Sequence, residues 1–268
     1  RAYGYQVTDY VRLLEVAYRA VKEVDPGALV IGGIAGHPST YTQEFIDAGG
    51  LRFVDALNLH IYPGLTAPEA YEEPLRRLRE RMSAARPTRP IWFTEGAYYA
   101  DDDTAREPFH SSWLSPLESE AEAAAWQVKF NTLLLTYGVD RIIYHAGTAG
   151  QLNQEDLGGI FFEWAGAPRK MLVTQSALAN LFVPPVRPLG RLPAPAGLAA
   201  YGFQSQGRTV LVAWTLEEAQ ATTVSLGPGR WQAVDLQGNP LDAQHVTIAE
   251  RPVYFVTQGP APDPLPWP

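Results

Sequence analysis

Two short stretches of the chain bring together the side chains best able to do chemistry: Asn58-Leu-His60-Ile-Tyr62 and Pro90-Ile-Trp-Phe-Thr-Glu95-Gly96. A carboxylate serves as nucleophile or general base, while an imidazole, a phenol and a carboxamide beside it donate or relay hydrogen bonds. With no cysteine in the sequence, thiolate catalysis, thiolate metal sites and disulfides are excluded. In the second stretch strand-favouring residues follow Pro90 and end on Glu95, with Gly96 directly after. The pattern predicts a buried parallel strand with the acid at its C-terminal tip, where enzymes built of alternating strands and helices place their catalytic groups. A Glu in that place can also cap the following segment or pair with an Arg, and the neighbouring stretch favours the catalytic role.

In the first stretch the period is two. Leu57, Leu59 and Ile61 fall on one face and Asn58, His60 and Tyr62 on the other. An apolar face packs outward on helices, so the polar trio is expected to line the interior near the C-terminal end of its strand. The competing expectation is a satisfied core histidine and a packing tyrosine.

The elements that must position these residues alternate. Helical periodicity over 8–24 is stopped by Asp25-Pro26-Gly27, and a strand over 28–34 leads to a short helix over 41–48. A strand over 55–62, a helix over 68–85 and the Glu95 strand follow. A long loop, 98–117, holds Phe109, His110 and Trp113 and is expected to shape a binding cleft. Ser119 and Glu122 have capping-box spacing before a helix over 120–137, and a strand over 141–145 and a helix over 168–182 complete four strand and helix units.

Five prolines between 183 and 197 then mark a boundary. Short runs at 199–204, 209–215, 222–226, 231–235, 246–248 and 253–256, separated by Gly- and Pro-bearing turns, predict an antiparallel sandwich. The expected organisation is an α/β catalytic domain over 1–182, a linker over 183–196, a sandwich over 197–258 and a proline-rich tail with no visible structural signal over 259–268.

Composition limits the function classes. In 268 residues, 29 acids against 21 bases leave a net charge of -8 with no basic run, which argues against nucleic acid or an anionic membrane as partner. No stretch approaches the roughly 18 apolar residues of a membrane helix, so a soluble protein is expected, with the compartment open. Asp101-Asp102-Asp103 lacks the surrounding pattern of a calcium loop, and Gly32-Gly33 with Gly36 has the wrong spacing for a dinucleotide loop. No metal and no cofactor are expected.

The order of these elements resembles the C-terminal half of a glycoside hydrolase of clan A, most similar to family 39. His60-Ile-Tyr62 resembles the sixth-strand His-x-Tyr, Pro90 to Glu95 the seventh-strand nucleophile, and Arg141-Ile-Ile-Tyr144 the eighth strand with its aromatic tip. Ala165 to Lys170, with Ala177-Leu178, is similar to the last barrel helix. The resemblance implies about strands 5 to 8 of a TIM (β/α)8 barrel followed by a small antiparallel β-sandwich. It implies a retaining glycosidase acting on β-linked glycosides or polysaccharides, in which Glu95 is the nucleophile. Asn58, His60, Tyr62, Tyr144, Trp113 and Trp164 would bind the carbohydrate, and a hydrogen bond from Tyr62 would favour the ionised carboxylate.

The clan's acid/base motif, Asn-Glu-Pro on the fourth strand, does not occur; Glu73-Pro74 and Glu107-Pro108 lack the Asn. The chain is therefore expected to begin after the acid-bearing strand and to pair with the missing N-terminal half barrel or with a second copy of itself. The alternative is a non-catalytic carbohydrate-binding or assembly protein on a degenerate barrel scaffold.

Overall fold

The structure, a computed structural model, describes residues 4–33, 36, 38–100, 102, 117–144, 160–162, 167–216, 221–226, 231–261 and 265–267. The chain divides into two compact units: Arg1–Ala97 with Tyr137–His145, and Tyr98–Thr136 with Ala146–Pro268.

The first unit alternates as its periodicity predicts. Helix α1 (Val7–Val24) buries Val7, Val11 and Leu14, a four-then-three spacing on one face. It is followed by β1 (Ile31–Gly33), α2 (Thr40–Asp47), β2 (Ala56–His60), α3 (Glu72–Ala84) and β3 (Ile91–Glu95). The helix α3 buries Leu75, Leu78 and Met82 on one face. The last strand of this unit, β4 (Val139–Ile142), completes a four-stranded sheet in the order β1-β2-β3-β4, every pair parallel. Leu57, Leu59, Ile61, Ile91 and Phe93 are all 2% exposed or less. Burying each such side chain stabilises the fold by about 1.5–3 kcal/mol, which holds the polar face of the same strands in place.

The second unit holds α4 (Glu120–Thr136), α5 (Lys170–Leu181) and two antiparallel sheets. One sheet has five strands: β5 (Val186–Arg191), β6 (Leu198–Ser205), β7 (Arg208–Thr215), β11 (Val253–Gln258) and β9 (Gln232–Val234), in that spatial order. The other pairs β10 (Val246–Ile248) with β8 (Thr222–Val224). Leu211, Ala213, Phe255, Val224 and Ile248 share one core between the two sheets. On its other face the larger sheet meets the helices: the Phe182 ring lies 4.9 Å from Phe203, and Lys129 of α4 lies 5.8 Å from the Trp214 ring. Ser119 Oγ accepts the Glu122 N–H at 3.1 Å at the start of α4, but Glu122 reaches back to the Glu118 N–H, one residue before the expected partner.

Three local expectations are revised. The segment 183–196, expected as a linker, contains β5, whose Pro188 is tolerated because β5 is an edge strand and needs fewer ladder donors. The tail is not structureless, since Trp267 is 4% exposed, packs against Phe255 with ring centroids 6.0 Å apart and donates Nε1–H to the Pro193 carbonyl at 2.9 Å. The strand β4 ends at Ile142 rather than at residue 145, so Tyr144 lies beyond the strand. Among the described residues no helix is long and apolar enough to cross a membrane.

Candidate active site

Alternation along β2 sorts its residues as expected: Leu57, Leu59 and Ile61 are buried, while Asn58, His60 and Tyr62 are half-buried on the opposite face. The acid needs a further device. In an unbroken strand Glu95 would share the face of Ile91 and Phe93, turned to the apolar side, and Thr94 would occupy the polar face. The register of β2 with β3 runs Leu57↔Ile91, Asn58↔Trp92, Leu59↔Phe93 and then His60↔Glu95, so Thr94 is the extra residue of a one-residue shift. A bulge of this kind re-aims the side chains that follow it, and both Thr94 and Glu95 bond to the polar residues of β2 and its C-terminal extension.

Gly96 closes the arrangement. The Ile61 N–H donates to the Glu95 carbonyl at 3.0 Å, bringing the two chains so close that a Cβ on residue 96 would sit 1.8 Å from the Ile61 carbonyl oxygen. Its φ of +131° is a conformation that glycine alone adopts readily.

The carboxylate is held from two sides. The Tyr62 hydroxyl donates to Glu95 Oε1, and His60 Nδ1 lies 3.5 Å from Oε2. His60 Nε2 is 3.3 Å from Asn58 Nδ2, and the Thr94 hydroxyl donates to Asn58 Oδ1. Burial first, then the hydrogen bond to Glu95 and its negative charge, push the Tyr62 phenol far above its ordinary value, so it remains a donor across the physiological range. The His60 and Glu95 side chains are 22% and 29% exposed, within reach of a ligand. Further along the same face the Arg141 guanidinium lies 4.9 Å from the Trp92 ring centroid.

Of the residues singled out in the sequence, Glu95, His60, Tyr62 and Asn58 thus form one cluster. Tyr144 is half-buried two residues past β4. Trp113 and Trp164 lie outside the described residues, as do Asp101 and Asp103. Asp102 takes a structural part: Oδ1 accepts the Glu120 N–H at 2.7 Å at the start of α4, and Oδ2 pairs with Lys170, whose ammonium chiefly holds the carboxyl below the usual carboxylate range. The residue missed in the sequence is Thr94, which strict alternation places on the opposite face from Glu95 and which meets the same polar groups as Glu95 only through the register shift.

A solvent-accessible carboxylate at a strand tip, bonded by a phenol and faced by an imidazole, can attack an electrophilic carbon or accept a proton. No protein-family model and no curated protein matches the sequence. The fold is similar to that of part of several glycoside hydrolases of known structure. A family 39 glycoside hydrolase from Bacteroides cellulosilyticus WH2 superposes with a TM-score of 0.66 at 18% identity, covering 93% of this chain and 55% of that one. A family 30 endoxylanase from Clostridium papyrosolvens C71 gives 0.61 at 13% identity, covering 95% and 61%. A family 51 α-L-arabinofuranosidase from Thermotoga petrophila RKU-1 gives 0.55 at 11% identity, covering 95% and 63%. At these identities the likeness is one of fold, and the chain spans 55–63% of the length of these three structures.

Proposed function

We propose that the protein is a retaining glycosidase acting on β-linked glycosides or polysaccharides, with Glu95 as nucleophile. The observation that carries this reading is the Glu95 carboxylate at the tip of β3, bonded by Tyr62 and approached by His60. Glu95 attacks the anomeric carbon and forms a glycosyl ester while a second carboxyl, about 5–5.5 Å away, protonates the leaving oxygen; that same group then activates the water that hydrolyses the ester. Asn58 bonds a sugar hydroxyl, His60 lines the same subsite, and Tyr144, Trp113 and Trp164 are the aromatic residues we assign to stack on the pyranose ring.

In this reading residues 1–182 form about strands 5 to 8 of a (β/α)8 barrel, 183–196 join them to a companion β-sandwich over 197–258, and the acid/base Glu belongs to a half barrel outside this chain. That these three glycoside hydrolases are covered only to 55–63% of their length favours it. No metal or organic cofactor enters the reaction.

A covalent trap tests the proposal. The chain, together with the segment that completes its barrel, is incubated with an activated 2-fluoro-glycoside and digested for mass spectrometry. An adduct on the peptide bearing Glu95 is expected. A completed barrel that hydrolyses glycosides but labels elsewhere overturns the assignment, and one that binds sugar without labelling or turnover favours the non-catalytic alternative.

A further inference from the structure

We infer that Asn58 and Thr94 are positioning residues that fix the tautomer of His60, placing its single ring proton on Nδ1, the nitrogen that faces Glu95. The catalytic meaning of this rests on Glu95 being the nucleophile; the tautomer itself does not.

The argument is one of donors and acceptors taken outward from the carboxylate. Glu95 Oε2, 3.5 Å from His60 Nδ1, has only lone pairs to offer, so a proton on Nδ1 is attracted and a lone pair there is repelled. A neutral ring with its proton on Nδ1 has an accepting Nε2. Facing Nε2 at 3.3 Å is the amide nitrogen of Asn58, which only donates. The same carboxamide then turns its oxygen to Thr94, whose hydroxyl donates to it.

Every group is matched in one direction, Thr94 to Asn58 to His60 to Glu95. The reversed carboxamide would put an oxygen opposite Nε2, draw the proton there and leave the Nδ1 lone pair against the carboxylate. The ring nitrogen that carries the proton is set by the bond its other nitrogen makes, and that bond depends on Asn58 being held. The Thr94 hydroxyl bonds the carboxamide oxygen and limits its rotation, while the register shift after Phe93 brings Glu95 to the face that Thr94 already occupies.

For the carboxylate the consequence is a second positive edge: Tyr62 donates to Oε1, and the Nδ1–H faces Oε2 at 3.5 Å, where its attraction is electrostatic and helps to orient the carboxylate.

Ring nitrogen NMR of the chain tests this without any substrate. Long-range 15N–1H correlation, at a pH where the ring is neutral and with the His60 signals assigned by H60Q, is expected to find Nδ1 protonated and Nε2 bare. The isosteric T94V removes the hydroxyl and is expected to shift the population toward the Nε2–H form, while T94S restores the parent spectrum. Should T94V not fold, N58D supplies the measurement, because an acceptor-only side chain must draw a proton to Nε2. A parent protein with Nε2 protonated, or T94V or N58D spectra that leave the His60 nitrogens unchanged, overturns the inference. Failure of the covalent label on Glu95 would sink the proposed function and leave this result standing.

Discussion

The strand pair β2–β3 in the first unit and the pair β6–β7 in the second are both interior strands, and they divide their side chains differently. Along β6 and β7 every residue except Gln204 and Arg208 is buried, because the helices α4 and α5 cover one face of the sheet and β8 with β10 the other. Its large rings stack directly, Tyr201 on Trp214 at 5.1 Å with planes 23° apart. On β2 and β3 one face is equally dry, with Leu57, Leu59 and Phe93 all fully buried. The other holds Asn58, His60, Tyr62, Thr94 and Glu95, which satisfy one another while staying within reach of solvent.

A doubly covered sheet is a stability element, whereas a sheet with one polar face keeps groups that cost stability unless they are paired. Activity and stability should therefore separate by strand pair.

The sharpest separation is E95Q. In the completed barrel it is expected to lower kcat by at least about a thousandfold, while the melting temperature of the chain stays unchanged or rises. Steady-state kinetics beside a thermal melt decides this, and a large fall in melting temperature would remove the contrast between the two sheets. W214A should do the reverse. Trp214 is fully buried between Tyr201 and Lys129, so its truncation is expected to cost about 3–5 kcal/mol of unfolding free energy, read by denaturant titration.

G96A sits between the two extremes. The clash with the Ile61 carbonyl and the strained φ together are expected to cost at least about 2 kcal/mol, and because the β2–β3 approach opens, labelling of Glu95 should fall as well. Unchanged labelling would mean that the carboxylate is placed independently of this contact.

The smallest effect is a pH dependence. Burial alone would raise the Asp55 carboxyl, but Lys22 at 2.8 Å, the Val30 N–H at 2.8 Å and the Tyr18 hydroxyl outweigh it and hold the value below the usual carboxylate range. A depressed value in the folded state contributes stability that is present above the unfolded value, about 3.9. That stability is lost as the pH falls through the folded value. D55N is expected to remove this part of the acid destabilisation, seen as convergence of the two proteins' melting temperatures below about pH 4.

Much of this was legible in the residues because it depends only on neighbours in the chain. Helical spacing of Leu75, Leu78 and Met82 marked the dry face of α3, and the two-residue period of 57–62 sorted the faces of β2. Prolines were less readable. The rule that Pro cannot sit in a central strand is correct, but nothing local tells an edge strand from a linker, and β5 is an edge strand. Trp267 was missed for a similar reason, since a proline-rich tail carries no sign of the core that receives its one large ring.

The identity of the acid, the polar face of β2 and the glycine after Glu95 follow from composition and period along one strand. That Glu95 and Thr94 meet that polar face together does not, because the period of β3 alone sends adjacent residues to opposite sides. Only the pairing of β3 with β2, one residue out of step between Leu59 and His60, brings them to the same groups. Register is a relation between strands some 30 residues apart, so no local pattern encodes it, and it is the packed sheet that assembles the site.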